Sequence, residues 1–149
     1  MKFTAKTKPL LTVLALLLLT LNIQCKSEKD PIPYVYVDIR ISLNTPDFYP
    51  LNAIGNSVFV TGGYKGIVIF RKSIDEFLAF DRACTFDPDC ERLELDDTHT
   101  KLVHTNCCNS EYSLLLDGHP VHEPAKMPLK RYKVVYYEGL NSLEITNEF

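Results

Sequence analysis

Hydrophobic and polar residues alternate along much of this chain, and the alternation has the period of a β-strand. In YVYVDIRISL, Val35, Val37, Ile39 and Ile41 fall on one face while Tyr36, Asp38 and Arg40 fall on the other, which predicts a half-buried strand. SVFVTGGYKGIVIFRK predicts a hairpin, with strands over residues 58–60 and 67–70 around Gly62, Gly63 and Gly66. Glycines supply the positive φ angles that tight turns require. In SIDEFLAFDR, Ser73 and Glu76 have the form of a helix cap, but residues 77–80 suit a further strand after a turn, and the strand is the reading adopted. RLELDD and KLVHT predict short strands separated by DDTHT, YSLLLDGHPV a hairpin turning at Asp117 and Gly118, and KRYKVVYYEGLNSLEIT a last hairpin turning between Gly139 and Ser142. Many short strands with closely spaced turns predict an all-β domain with little helix.

The first 24 residues break this pattern. Lys2, Lys6 and Lys8 form a basic head before an apolar run over residues 10–21, which is short for a bilayer span and has the length of a secretory leader. Cys25 follows the run and precedes the polar KSEKD, the place where a bacterial lipoprotein leader puts its lipidated cysteine, although Gln24 stands where a small residue is usual. The expected organisation is therefore a leader at 1–24, a lipid-anchor tether at 25–33 and a β domain at 34–149. An acyl anchor holds a domain to a membrane because each buried methylene contributes about 0.8 kcal/mol. The expected location is the envelope of a Gram-negative bacterium, with secretion the outcome if Cys25 is not lipidated.

Loss of the three leader lysines takes the formal net charge from −3 to −6. An acidic domain offers nucleic acid no electrostatic footprint, so the expected partners are the membrane, through the anchor, and an envelope protein of unknown identity.

Beyond Cys25 the cysteines are Cys84, Cys90, Cys107 and Cys108, and an even count in an exported chain points to disulfides. A domain of this length builds a core without staples, so the cysteines need a local explanation. A zinc or iron site of His104, Cys107, Cys108 and Cys84 can be drawn, but it follows no recognised ligand spacing. Reactive thiols want nearby cations, whereas Asp87, Asp89, Glu91 and Glu111 surround these. No paired carboxylates, Ser-His-Asp order or phosphate-binding loop nominate a catalytic residue. His119 and His122 flank a turn and are expected in solvent, and Tyr132, Tyr136 and Tyr137 are expected to pack or to rim the last hairpin.

Over about half the chain the order of parts carries more information. A glycine hairpin is followed by FDRAC, a first cysteine loop RACTFDPDC, a second cysteine loop HTNCCNSEY, and then DGHPVHEPAKMPLKRY. This order resembles the Rieske family, and the resemblance implies stacked antiparallel sheets bearing two cysteine loops. In that family a 2Fe-2S cluster is held by Cys-x-His on one loop and Cys-x-x-His on the other, with a further cysteine on each loop joined in a disulfide. Carried onto this chain, Cys84 matches the first thiolate and Phe86 the first histidine, while Thr105 matches the second thiolate and Cys108 the second histidine. Phenylalanine has no lone pair for iron, and Glu123 replaces the glycine that precedes the loop proline Pro124.

The resemblance thus implies a degenerate member, with neither the 2Fe-2S cofactor nor another metal expected and Phe86 turned into an apolar plug. Cys90 and Cys107 match the disulfide cysteines, and their bridge would contribute about 3 kcal/mol in the chain-entropy model. Cys84 and Cys108 would face each other across the vacated cluster position, where a second disulfide, a free buried pair and a Cys107–Cys108 vicinal bridge are the alternatives. The function expected is a non-catalytic binding or structural module, and its rival is an electron-transfer protein whose cluster has atypical ligands.

Overall fold

The computed structural model describes residues 30–104 and 106–148. The expected leader, Cys25 and Thr105 lie outside the described residues, and with them the expected lipidation site and the position matched to the second thiolate. The described chain is all-β: β1 (Asp38–Ser42), β2 (Ser57–Val60), β3 (Ile67–Arg71), β4 (Phe77–Asp81), β5 (Glu94–Leu95), β6 (Lys101–Val103), β7 (Glu111–Ser113), β8 (His119–His122), β9 (Arg131–Tyr137) and β10 (Ser142–Asn147). Two short 3-10 segments, Pro46–Asn52 and Glu138–Leu140, interrupt the strands. All pairings are antiparallel, in a six-stranded sheet of order β1-β10-β9-β4-β3-β2 and a four-stranded sheet of order β5-β6-β7-β8.

The adjacent strands β3 and β4 of the larger sheet explain how two cores arise from one apolar run each. Successive side chains on a strand point to opposite faces. Ile67, Ile69, Phe77 and Ala79 therefore enter one cluster with Ile41, Leu143 and Ile145. Val68, Phe70, Leu78 and Phe80 enter a second cluster with Leu102, Tyr112, Leu114 and the cysteines Cys84, Cys90 and Cys108. The first cluster lies within the curl of the six-stranded sheet. The second lies between the two sheets, so the cysteines are part of the inter-sheet core.

The first predicted strand is shorter than its alternation. Val37 is buried, but ladder pairing begins only at Asp38, where β1 meets Thr146 of β10. Before that point the Asn147 side chain takes over: its Oδ1 accepts from Val37 N at 2.8 Å and its Nδ2 donates to Val35 O at 3.0 Å. Packing on the domain also extends ahead of Tyr34, since Ile32 is buried and Lys130 pairs with Asp30 at 3.0 Å. The end of the segment read as tether is thus packed on the domain. The segment Pro46–Asn52 is one that the alternation does not foretell; its proline-bearing sequence buries Leu51 in the curl of the larger sheet.

Candidate functional site

The site is built where the two sheets meet. The first cysteine loop leaves β4 and returns at β5, and the second leaves β6 and returns at β7. What aims the first loop is Asp81, the last residue of β4, a fully buried carboxylate. Its oxygens accept from Tyr64 N at 2.6 Å, Lys65 N at 3.1 Å, Ala83 N at 3.0 Å and the Tyr132 hydroxyl at 2.8 Å. A buried charge is tolerated when hydrogen bonds replace its water, and here they come from the glycine hairpin, the loop itself and β9. Gly63, at φ 63°, leaves no room for a Cβ against the Asp81 carboxylate and the Tyr132 hydroxyl, which is why a glycine stands there. Burial first, then the Asp81 charge, holds the Tyr132 phenol well above its ordinary 10.0.

The two loops are closed by two disulfides. Cys90 joins Cys107, with Cα atoms 5.9 Å apart, and Cys84 joins Cys108, with Cα atoms 6.7 Å apart. Cys84, Cys90 and Cys108 are buried, whereas Cys107 is exposed at the loop end. Tyr112 of β7 fills the space beside the inner bridge. Its hydroxyl oxygen accepts from Thr85 N at 3.0 Å and lies 3.5 Å from Cys84 Sγ. Thr85 Oγ1 donates to Met127 O at 2.8 Å, so the Tyr112 hydroxyl donates to Thr85 Oγ1 at 3.0 Å and every group in the chain is satisfied. Ala125 N donates to Ser110 Oγ at 3.0 Å, which ties the proline-containing loop to the second cysteine loop.

Phe86 does not plug this space. It is 59% exposed on the outside of the first loop. The inter-sheet volume beside Cys84 is already taken by Tyr112, and closure of Cys84 on Cys108 leaves no gap for a phenyl ring to enter. His104 lies beside the outer bridge, where its Nδ1 accepts from Cys107 N at 3.1 Å and its Nε2 faces Glu91 Oε2 at 3.8 Å. His119 and His122 lie on β8 and are exposed, with the His122 Nδ1 against Asn109 O at 3.0 Å and Glu123 O at 2.7 Å. Tyr136 tilts against Phe77 with ring centroids 5.0 Å apart, and the Tyr137 hydroxyl donates to Glu144 at 2.7 Å.

A Rieske-type cluster needs two thiolates and two imidazoles. The described residues do not fit it. Cys84 and Cys108 are bonded to each other, and Phe86 brings no donor and points outward. The zinc grouping fares no better, since its three sulfurs sit in disulfides and its imidazole Nδ1 accepts a backbone N–H. Asp87, Cys90 and Cys107 bring their ligand atoms within 4.8 Å of one another, but both sulfurs belong to one bridge and a single carboxylate remains.

Beside the cysteine loops the sheets leave a cleft of about 1020 Å³, walled by the glycine hairpin on one side and by residues flanking Cys90 and Cys107 on the other. Arg82 forms its floor. Its backbone N donates to Gly66 O at 2.9 Å, its carbonyl accepts from Leu93 N at 2.7 Å, and its Nε donates to Leu93 O at 2.8 Å. Phe59 covers the guanidinium face, 3.5 Å from its ring centroid. Nη2 is ion-paired with Glu94 Oε1 at 2.5 Å, in an alignment that falls outside strict hydrogen-bond angles. Burial lowers the Arg82 pKa while Glu94 raises it, and the guanidinium stays charged.

Arg82, Phe59 and Glu94 are functional candidates that the alternation and the cysteine spacing do not single out. Their signal in the sequence is the pair Asp81-Arg82 inside the apolar run FLAFDRAC, since charges embedded in a buried run must meet partners.

No protein-family model matches the chain, and no curated protein matches it. Among solved structures it is similar to the ferredoxin of carbazole 1,9a-dioxygenase from Nocardioides aromaticivorans IC177, at 13% identity and a TM-score of 0.43, over 64% of this chain and 88% of that one.

Proposed function

We propose that this protein is a lipid-anchored lipoprotein of a Gram-negative envelope, whose degenerate Rieske-like domain serves as a non-catalytic binding module. The observation that carries the reading is the Cys84–Cys108 bridge: the two cysteines that match cluster-ligand positions are bonded to each other inside the inter-sheet core. A bonded pair has no thiolate to give a metal. The two disulfides brace a loop tip that presents Phe86 and the end of the second loop to solvent, the kind of rigid, partly apolar surface on which a protein partner docks. The acidic mature charge supports a protein partner over nucleic acid.

Intact mass measured before and after reduction, together with metal analysis, tests this. The expected protein is colourless and iron-free and gains about 4 Da on reduction, two hydrogens for each of two disulfides. A brown protein with about two irons per chain and absorbance between roughly 400 and 600 nm would replace the proposal with an electron-transfer role.

A further inference from the structure

We infer that the Arg82 cleft binds a small organic monocarboxylate, with the Glu94 carboxylate held in the ligand's place until one arrives. Arg82 is a pre-set anchor: its backbone and Nε are committed to Gly66 and Leu93, and Phe59 fixes the plane of the guanidinium. The terminal end of the fork, where Arg82 lines the cleft, is covered by Glu94, and a planar fork matches a carboxylate in two parallel hydrogen bonds. Such a buried cation needs a carboxylate partner, and Glu94 provides it at 2.5 Å.

Glu94 neutralises it through one close but poorly aligned contact. The Glu94 side chain is 59% exposed, sits outside hydrogen-bond geometry at Nη2, and has a second cation, Arg92, at 3.9 Å on the solvent side. A carboxylate that enters with better geometry displaces Glu94 toward Arg92, and no charge is stranded by the exchange. The cleft sets the ligand's charge as well. Its charged lining comprises Lys65, Arg82 and Arg92 against Glu91 and Glu94, one positive charge in excess. That balance matches a monoanion and leaves a phosphate dianion under-compensated. The apolar walls at Phe59 and Val60 suit a hydrocarbon or aromatic body on the acid.

The inference rests on the reading of the domain as a binding module, and the two fail separately. The test is a 1H–15N NMR titration of the full chain in detergent with benzoate, and in parallel with benzamide and inorganic phosphate. Benzoate is expected to shift the Gly62 to Gly66 amides and the Arg82 Nε–H, while benzamide and phosphate leave them in place. Glu94→Gln removes the competing carboxylate and keeps the volume, so it should tighten benzoate binding by about tenfold. Arg82→Gln should abolish the shifts, and because Arg82 is buried, the Tyr112 and Tyr132 signals report whether that variant is folded. Equal shifts with benzamide, a preference for phosphate, no shift with benzoate, or unchanged affinity in Glu94→Gln would each overturn the carboxylate site. In a colourless protein with two disulfides, any of these leaves the binding module standing, whereas iron in the sample removes the module first.

Discussion

At Asp81 a carboxylate with no exposure to water accepts from three backbone N–H groups and one phenol, and those four donors come from three separate parts of the chain. The Tyr132 hydroxyl is the donor that mutation removes most cleanly. Tyr132→Phe should lower stability by about 2 kcal/mol at neutral pH, the worth of a hydrogen bond to a charged acceptor. The sign of its pH dependence follows from its raised pKa. Folding favours the neutral phenol, so the contribution is complete below the ordinary tyrosine value of 10.0 and shrinks as pH rises above it, because the unfolded phenol ionises first. Urea melts of the two proteins should therefore differ most at neutral pH and converge in alkali. A constant difference would show that Tyr132 titrates normally in the folded state. At this scale the sequence was legible in part. Gly63 reads as a turn glycine, but its second duty, making room for the Asp81 carboxylate and the Tyr132 hydroxyl, belongs to a contact between residues far apart in the chain.

At the scale of the elements the two bridges close loops of similar length, with sequence separations of 24 for Cys84–Cys108 and 17 for Cys90–Cys107. Chain entropy alone gives each about 3 kcal/mol. Their surroundings differ, however: Cys84 and Cys108 lie in the inter-sheet core beside Tyr112, while Cys107 is exposed. Replacing Cys84 and Cys108 together by alanine should cost more than the same change at Cys90 and Cys107, by about 1 to 2 kcal/mol for the lost packing. Chemical denaturation of the two double variants decides it, and equal losses would mean that the inner bridge contributes only as a tether. The strands themselves were legible because their period is local, and the fate of Phe86 was not. An aromatic in the first cysteine loop reads as filler from its own neighbours, but Tyr112, 26 positions later, has the hydrogen-bond partners that hold an aromatic beside Cys84.

At the scale of the whole molecule the domain carries its cleft and loop tip on the proposed anchor at Cys25. Cys25→Ser should abolish incorporation of labelled palmitate and move the protein from the detergent-rich to the aqueous phase in detergent partitioning. Unchanged labelling would remove the lipid anchor from the reading and leave secretion or another attachment. The sequence by itself determined the all-β class, the order of the hairpins and the placement of two cysteine loops, since alternation and turn residues act over a few positions. Tertiary structure alone decided that Cys84 closes on Cys108, which aromatic is buried, and that Arg82 faces Glu94 under the Phe59 ring. Those outcomes depend on how one sheet lies across the other, and that geometry is set by the packing of both sheets at once rather than by any local run of residues.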